Sequence, residues 1–80
     1  MRRGEMYGYG NTERVHSFWL DDNGKLYIPR EVSDLATAAR ERYTQLHRGN
    51  GPTTVQMFEY LVRFNNGYWA GREIEGATSG

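Results

Sequence analysis

The sequence predicts a small α+β domain, an antiparallel sheet with one helix packed on it in the order β-β-α-β-β, assembled as a homo-oligomer. Three observations carry this reading. Two apolar runs, 15–20 and 25–28, flank Asp21-Asp22-Asn23-Gly24, and an Asn-Gly turn between such runs is a strong local hairpin signal. From Glu31 the apolar spacing changes to threes and fours, the period of a helix. After Gly51 an aromatic and β-branched run meets a second Asn-Gly pair, Asn66-Gly67.

The elements follow in order. Residues 1–13 read as an irregular arm, because Met6-Tyr7-Gly8-Tyr9-Gly10-Asn11-Thr12 places glycine at alternate positions. Glycine there permits sharp bends and weakens the other reading, an edge strand. In the first strand Val15, Ser17 and Trp19 share one face, and His16, Phe18 and Leu20 share the other. In the second, Leu26 and Ile28 share a face and Lys25 and Tyr27 its opposite. Neither face is cleanly polar, so each needs a cover. One helix covers one side; a partner chain or a ligand is expected on the other. Asp21 and Asp22 are turn residues, favoured there for their local hydrogen bonds.

Pro29 ends the second strand. Val32, Leu35, Ala36, Ala39, Tyr43 and Leu46 then form a helical stripe, with Asp34, Arg40, Glu41, Gln45 and Arg48 on other faces. Glu31 and Asp34 suit the positive end of the helix dipole, His47 and Arg48 the negative end, and Gly49 stops it. Thr53–Phe64 reads two ways. Thr53-Thr54-Val55-Gln56 is a capping-box pattern followed by a stripe of Val55, Phe58, Leu61 and Val62. The run is also rich in strand-forming residues and leads into Asn65-Asn66-Gly67 and Tyr68-Trp69-Ala70. The strand is the reading adopted, with β-β-α-α and a short last strand as its alternative. Residues 76–80 read as a frayed tail.

Composition narrows the function. A chain of 80 residues is one domain, 1–80, with no cysteine to staple it. Such a chain buries only about 60% of its unfolded surface, which is why oligomerisation is expected. Disulfides and thiolate metal sites are excluded, and two histidines make no metal site on their own. No cofactor is expected. Lys plus Arg and Asp plus Glu number 10 each, so the net charge is zero. That disfavours duplex DNA as a partner, whose affinity comes largely from neutralised phosphates. Nine of the ten basic residues are Arg, which suits forked contacts to phosphate or carboxylate. No apolar run approaches the roughly 20 residues of a membrane span, and no secretory signal is read. A cytoplasmic location is expected.

The stretch from Asp22 to Val32, Asp-Asn-Gly-Lys-Leu-Tyr-Ile-Pro-Arg-Glu-Val, resembles the strand and turn of AbrB-type swapped-hairpin proteins. That resemblance implies an intertwined dimer that binds DNA. The short, compact profile is also similar to accessory proteins of bacteriophages that block host defences. That similarity implies masking of a host protein or sequestration of a nucleotide signal.

The candidate ligand-binding residues are Tyr7, Gly8, Tyr9, Gly10, Asn11, Thr12, Arg14, His16, Trp69 and Arg72. A glycine-rich turn can present several N–H groups to a phosphate, Arg14 adds a charged fork, and a tyrosine can stack on a base. It is not a P-loop, since no Gly-x-x-x-x-Gly-Lys-Ser/Thr is present. The bland alternative is an arm whose tyrosines pack on the sheet. Trp69 is either core or a ligand anchor, with Arg72 as its charged neighbour. His16 reads first as a structural histidine, His47 as a dipole partner, and Arg40, Glu41, Arg42 and Arg48 as a solvated helix face. No acid, base and nucleophile can be assembled, so an enzyme is not expected. The function expected is non-enzymatic capture of a nucleotide-like anionic ligand, in a sequestering or anti-defence role. The alternatives are a protein-masking inhibitor of a host protein and an AbrB-like dimeric DNA binder.

Overall fold

A computed structural model describes residues 1–8, 11–64 and 71–74, with the backbone path alone for 7–8 and 11–14. Within them the chain is an α+β domain with a four-stranded sheet and two helices. Strand β1 spans Arg2–Gly8, β2 Asn11–Leu20 and β3 Leu26–Tyr27. A 3-10 turn at Arg30–Val32 leads into helix α1, Ser33–Leu46; helix α2, Thr54–Leu61, and strand β4, Gly71–Glu73, follow. The sheet order is β3-β2-β1-β4, and every neighbouring pair is antiparallel.

The first hairpin expectation holds at its centre. Trp19 pairs with Tyr27 and Leu20 with Leu26, across a turn built on Asp21. The Asp21 carboxylate accepts from the backbone N–H groups of Asn23 at 2.9 Å and Lys25 at 2.8 Å. Gly24 takes a φ of +83°, which an L side chain rarely adopts. Those two backbone donors, the Lys25 contact first, hold the Asp21 carboxyl below the usual carboxylate range. Over 22–32, the stretch that resembles the swapped-hairpin family, β3 pairs with β2 of the same chain and Pro29 opens the 3-10 turn.

Of residues 1–13, read as an irregular arm, Arg2–Gly8 is strand β1 and 11–13 begin β2, while 9 and 10 lie outside the described residues. The alternating glycines at 8 and 10 argue against a strand, but Gly4 shows glycine as what the packing of a strand requires. A Cβ at Gly4 would lie 2.4 Å from Cζ of the Phe18 ring, which pairs across from it in β2. Glycine thus leaves the space that a buried aromatic fills. The pairing of β1 with β2 is regular from Arg2–Leu20 to Tyr7–Val15, then shifts so that Gly8 meets Asn11. This is the irregularity expected where a hairpin end carries extra residues.

The strand reading of Val55–Phe64 is overturned, since α2 occupies Thr54–Leu61. Its N-terminus is a full capping box. The Thr53 hydroxyl accepts from the Gln56 N–H at 3.1 Å, and the Gln56 side-chain oxygen accepts from the Thr53 N–H at 2.9 Å. Met57, Phe58 and Leu61 are buried, whereas Val55 is exposed. The helical face is therefore rotated from the stripe that Val55 and Val62 suggested. The expected β-β-α-β-β order becomes β-β-β-α-α-β. The second Asn-Gly pair and the 76–80 tail lie outside the described residues.

Helix α1 matches its stripe at Leu35, Ala36 and Ala39, which are buried, while Tyr43 is half-buried and Leu46 exposed. Its end is tighter than Gly49 alone implied. Arg48 takes a φ of +56°, and the Gly49 N–H reaches back to the Thr44 carbonyl at 2.8 Å. That closure has the bond pattern of a Schellman motif with Arg48, not glycine, in the left-handed position.

One face of the sheet makes the core with both helices. Met6, Phe18 and Leu20 meet Leu35, Ala39, Met57, Phe58, Leu61 and Phe64. Phe18 and Phe58 pack edge to face, with ring centroids 5.3 Å apart. Arg2 closes the edge of this core. Its guanidinium lies 4.8 Å from the Phe58 ring centroid and bonds Glu73 twice, at 2.9 and 3.0 Å. It also stands 3.6 Å from Glu59 of α2.

Candidate functional site

Alternation along β1, β2 and β4 sends every second residue away from the helices. The registers place Tyr27, Trp19 and Arg3 in one row across the sheet, and Ser17, Glu5 and Arg72 in the next. Neither helix packs on this face. It keeps Val15 at 47%, Trp19 at 38% and Tyr27 at 37% exposure, three of the larger apolar side chains that the described residues leave in solvent.

Trp19 and Tyr27 form a stacked pair, with centroids 5.4 Å apart and planes at 18°. Two contacts fix Tyr27. Its hydroxyl donates to Asp21 Oδ2 at 3.3 Å, and the Lys25 ammonium sits 5.3 Å from its ring centroid. The turn that joins β2 to β3 therefore also holds the aromatic pair in place. On the other side of Trp19 stands Arg3, whose guanidinium donates to the Ser17 hydroxyl at 3.0 Å. Arg3 is exposed and has no carboxylate within 4.0 Å among the described residues. Arg72 is 77% exposed and bonds Glu5 at 3.2 Å. The face thus offers two ordered aromatic rings, one cation with no acid within 4.0 Å among the described residues, a second cation on an exposed pair, and a hydroxyl. It has the chemistry of a stacking platform with charged edges.

The sequence-predicted residues distribute as follows. Arg72 falls on this open face, opposite Glu5. Tyr7 holds the register position opposite Val15, and Gly8 that opposite Asn11. Asn11, Thr12 and Arg14 lie in the first half of β2. Tyr9, Gly10 and Trp69 lie outside the described residues. His16 goes to the helix-covered face, opposite Met6 and half-buried, with its Nδ1 3.9 Å from Glu31 Oε2. It is thus separated by the sheet from Arg72, a distinction that residue spacing along the chain did not reveal.

Trp19, Tyr27 and Arg3 were missed as site residues. The available signal was the shared face of Val15, Ser17 and Trp19, together with Tyr27 opposite Leu26 and Ile28. It showed that a second cover was needed without showing which face the helix would take.

Other chemistry is sparse. Among the described residues, no three His, Asp or Glu side chains gather as a metal site. Nor is any helix among them long and apolar enough to cross a membrane. His47 stacks on Tyr43 with centroids 3.8 Å apart and bonds the Tyr43 carbonyl through Nδ1 at 2.8 Å, a local contact at the end of α1. Compared with protein-family models, curated proteins and solved structures, the chain finds no match in any of the three.

Proposed function

We propose that the protein is a non-enzymatic binder that captures a nucleotide-like anionic ligand on the open face of its sheet. The observation that carries this reading is the Trp19–Tyr27 stack beside Arg3 on the face that neither helix covers. A base lies against Trp19, and a phosphate is met by the Arg3 guanidinium, which among the described residues has no acid partner to displace. Of the residues the sequence nominates, Arg72 shares this face and Tyr7 holds the register position opposite Val15. A binder of this kind serves sequestration, for example of a nucleotide signal in a defence response. A homo-oligomer is the working unit of the reading, since a second copy would shelter the exposed Val15–Trp19–Tyr27 surface. The same surface favours one other reading, a protein-masking inhibitor that uses these aromatics as hot spots.

The test is a fluorescence titration of the full chain with mononucleotides and cyclic dinucleotides, run beside native mass spectrometry. The expected result is saturable binding that Trp19→Ala weakens by one to two orders of magnitude. That loss corresponds to base–aromatic stacking of about 1–3 kcal/mol. Arg3→Gln weakens phosphate-bearing ligands and leaves nucleosides unchanged. Binding that survives both substitutions removes this site. No nucleotide binding at all, together with a stable complex with another protein, turns the reading to masking.

A further inference from the structure

The geometry points to a second ligand site on the helix side of the molecule, a groove between β3, α1 and α2 that takes a small amphiphilic anion. By this we mean a carboxylate or phosphate carried on an apolar chain or ring. The groove holds about 660 Å³, within the usual range of small-molecule sites. Its floor is apolar, made by Leu26 and Ile28 from the sheet edge, Ala36 from α1 and Met57 from α2. Among the described residues its charged lining is Lys25 and Arg40, and the Lys25 ammonium is turned to the Tyr27 ring. Ser33, Thr37 and Thr54 complete the described lining, so hydroxyls accompany Arg40.

Charge complementarity selects the occupant. On a helix, an arginine usually finds its acid three or four residues away. For Arg40 those positions are Ala36, Thr37, Tyr43 and Thr44. No carboxylate lies within 4.0 Å of Arg40 or Lys25 among the described residues. Arg40 therefore stands beside an apolar floor with no acid within 4.0 Å among the described residues, whereas the Lys25 ammonium lies over Tyr27 and feels the charge of Asp21. A comparable groove at the far end of the helices, of about 590 Å³, is lined by Glu41 together with Arg42 and Arg63. That one carries an acid beside its two arginines. A neutral apolar ligand would leave Arg40 of the first groove unanswered, and a bare inorganic anion would leave its floor unused. An amphiphilic anion uses both.

Lys25 also touches Tyr27 on the open face, so Arg40 is the residue that separates this site from the nucleotide platform. The experiment is a ¹H–¹⁵N NMR titration of the full chain with octanoate, with octanol and with inorganic phosphate. Octanoate is expected to give saturable shifts at Leu26, Ile28, Ala36 and Met57, with octanol and phosphate far weaker. Arg40→Gln, on an exposed helix position that tolerates Gln, weakens octanoate roughly tenfold, the loss of one charge-assisted bond. Trp19→Ala leaves octanoate binding unchanged, so the two sites fail or succeed separately. The proposal is overturned if octanol binds as well as octanoate, or if Arg40→Gln has no effect. It is equally overturned if no saturable shift appears at the groove.

Discussion

Gly4 and Phe18 act as one packing unit. The Phe18 ring is fully buried and lies where a Cβ on Gly4 would stand, 2.4 Å from its Cζ. The ring cannot retreat, since Phe58 meets it edge to face from α2. Gly4→Ala is therefore expected to destabilise the fold by about 1–3 kcal/mol, the usual cost of overpacking, as read by urea denaturation. Arg48 is the opposite case. Its φ of +56° is strained for an L residue and natural for glycine. Its side chain is exposed, so little packing is lost on removal. Arg48→Gly is expected to raise stability by about 0.5–1 kcal/mol, visible as a higher denaturation midpoint at unchanged slope. Sequence reading locates the stop at Gly49, which does take a φ of +90°, but does not show that Arg48 before it is left-handed as well. That is decided by where the last carbonyl of α1 finds its donor.

Among the elements, α2 shows how a local motif overrides composition. Val55, Phe58, Tyr60, Val62 and Phe64 favour a strand by propensity. Yet the capping box answers two N–H groups at the helix start, and Met57, Phe58 and Leu61 then reach the core together. A strand would send alternate members of that run to opposite faces, leaving half of them unburied. Thr53→Ala is expected to cost about 1 kcal/mol in a urea melt, the typical loss for a helix cap. Thr53→Ser, which keeps the hydroxyl, should restore most of it. The Asp21 turn is the other self-contained device. It aligns β2 with β3 through two backbone N–H bonds and, through the Tyr27 hydroxyl, orders the aromatic pair of the candidate site.

Across the whole molecule, the ends of the described chain are tied by Arg2. Its two bonds to Glu73 join β1 to β4, and its approach to Glu59 and Phe58 joins both to α2. The hydrogen bonds from Arg2 are the main reason that the Glu73 carboxyl is held below its ordinary value of 4.5. A depressed folded pKa contributes stability that is present above the ordinary value and lost as pH falls through the folded one. Stability is thus expected to decline as pH drops below 4.5. Glu73→Gln should be less stable than wild type at neutral pH, with the gap narrowing as pH falls below 4.5 in matched urea melts. Glu73 is about one-third exposed, so the gap at neutral pH is small. The same architecture leaves the second face of the sheet bare, because both helices leave and return on one side of it.

The features legible from residues in order are those with short-range causes. The Asp21–Gly24 turn, the division of β2 into two faces, the α1 stripe and its stop near Gly49 all depend on neighbours within a few positions. So did the deduction that one side of the sheet would want a cover from outside the helix layer. The remaining features depend on contacts between residues far apart in the chain. Arg2–Gly8 is a strand because Gly4 makes room for Phe18, and Arg2 finds its acids 57 and 71 positions away. Trp19, Tyr27 and Arg3 become neighbours only when three strands pair, and His16 leaves their company only because the helices choose its face. Periodicity states which side chains share a face; long-range packing decides which face the helices bury and which they leave open.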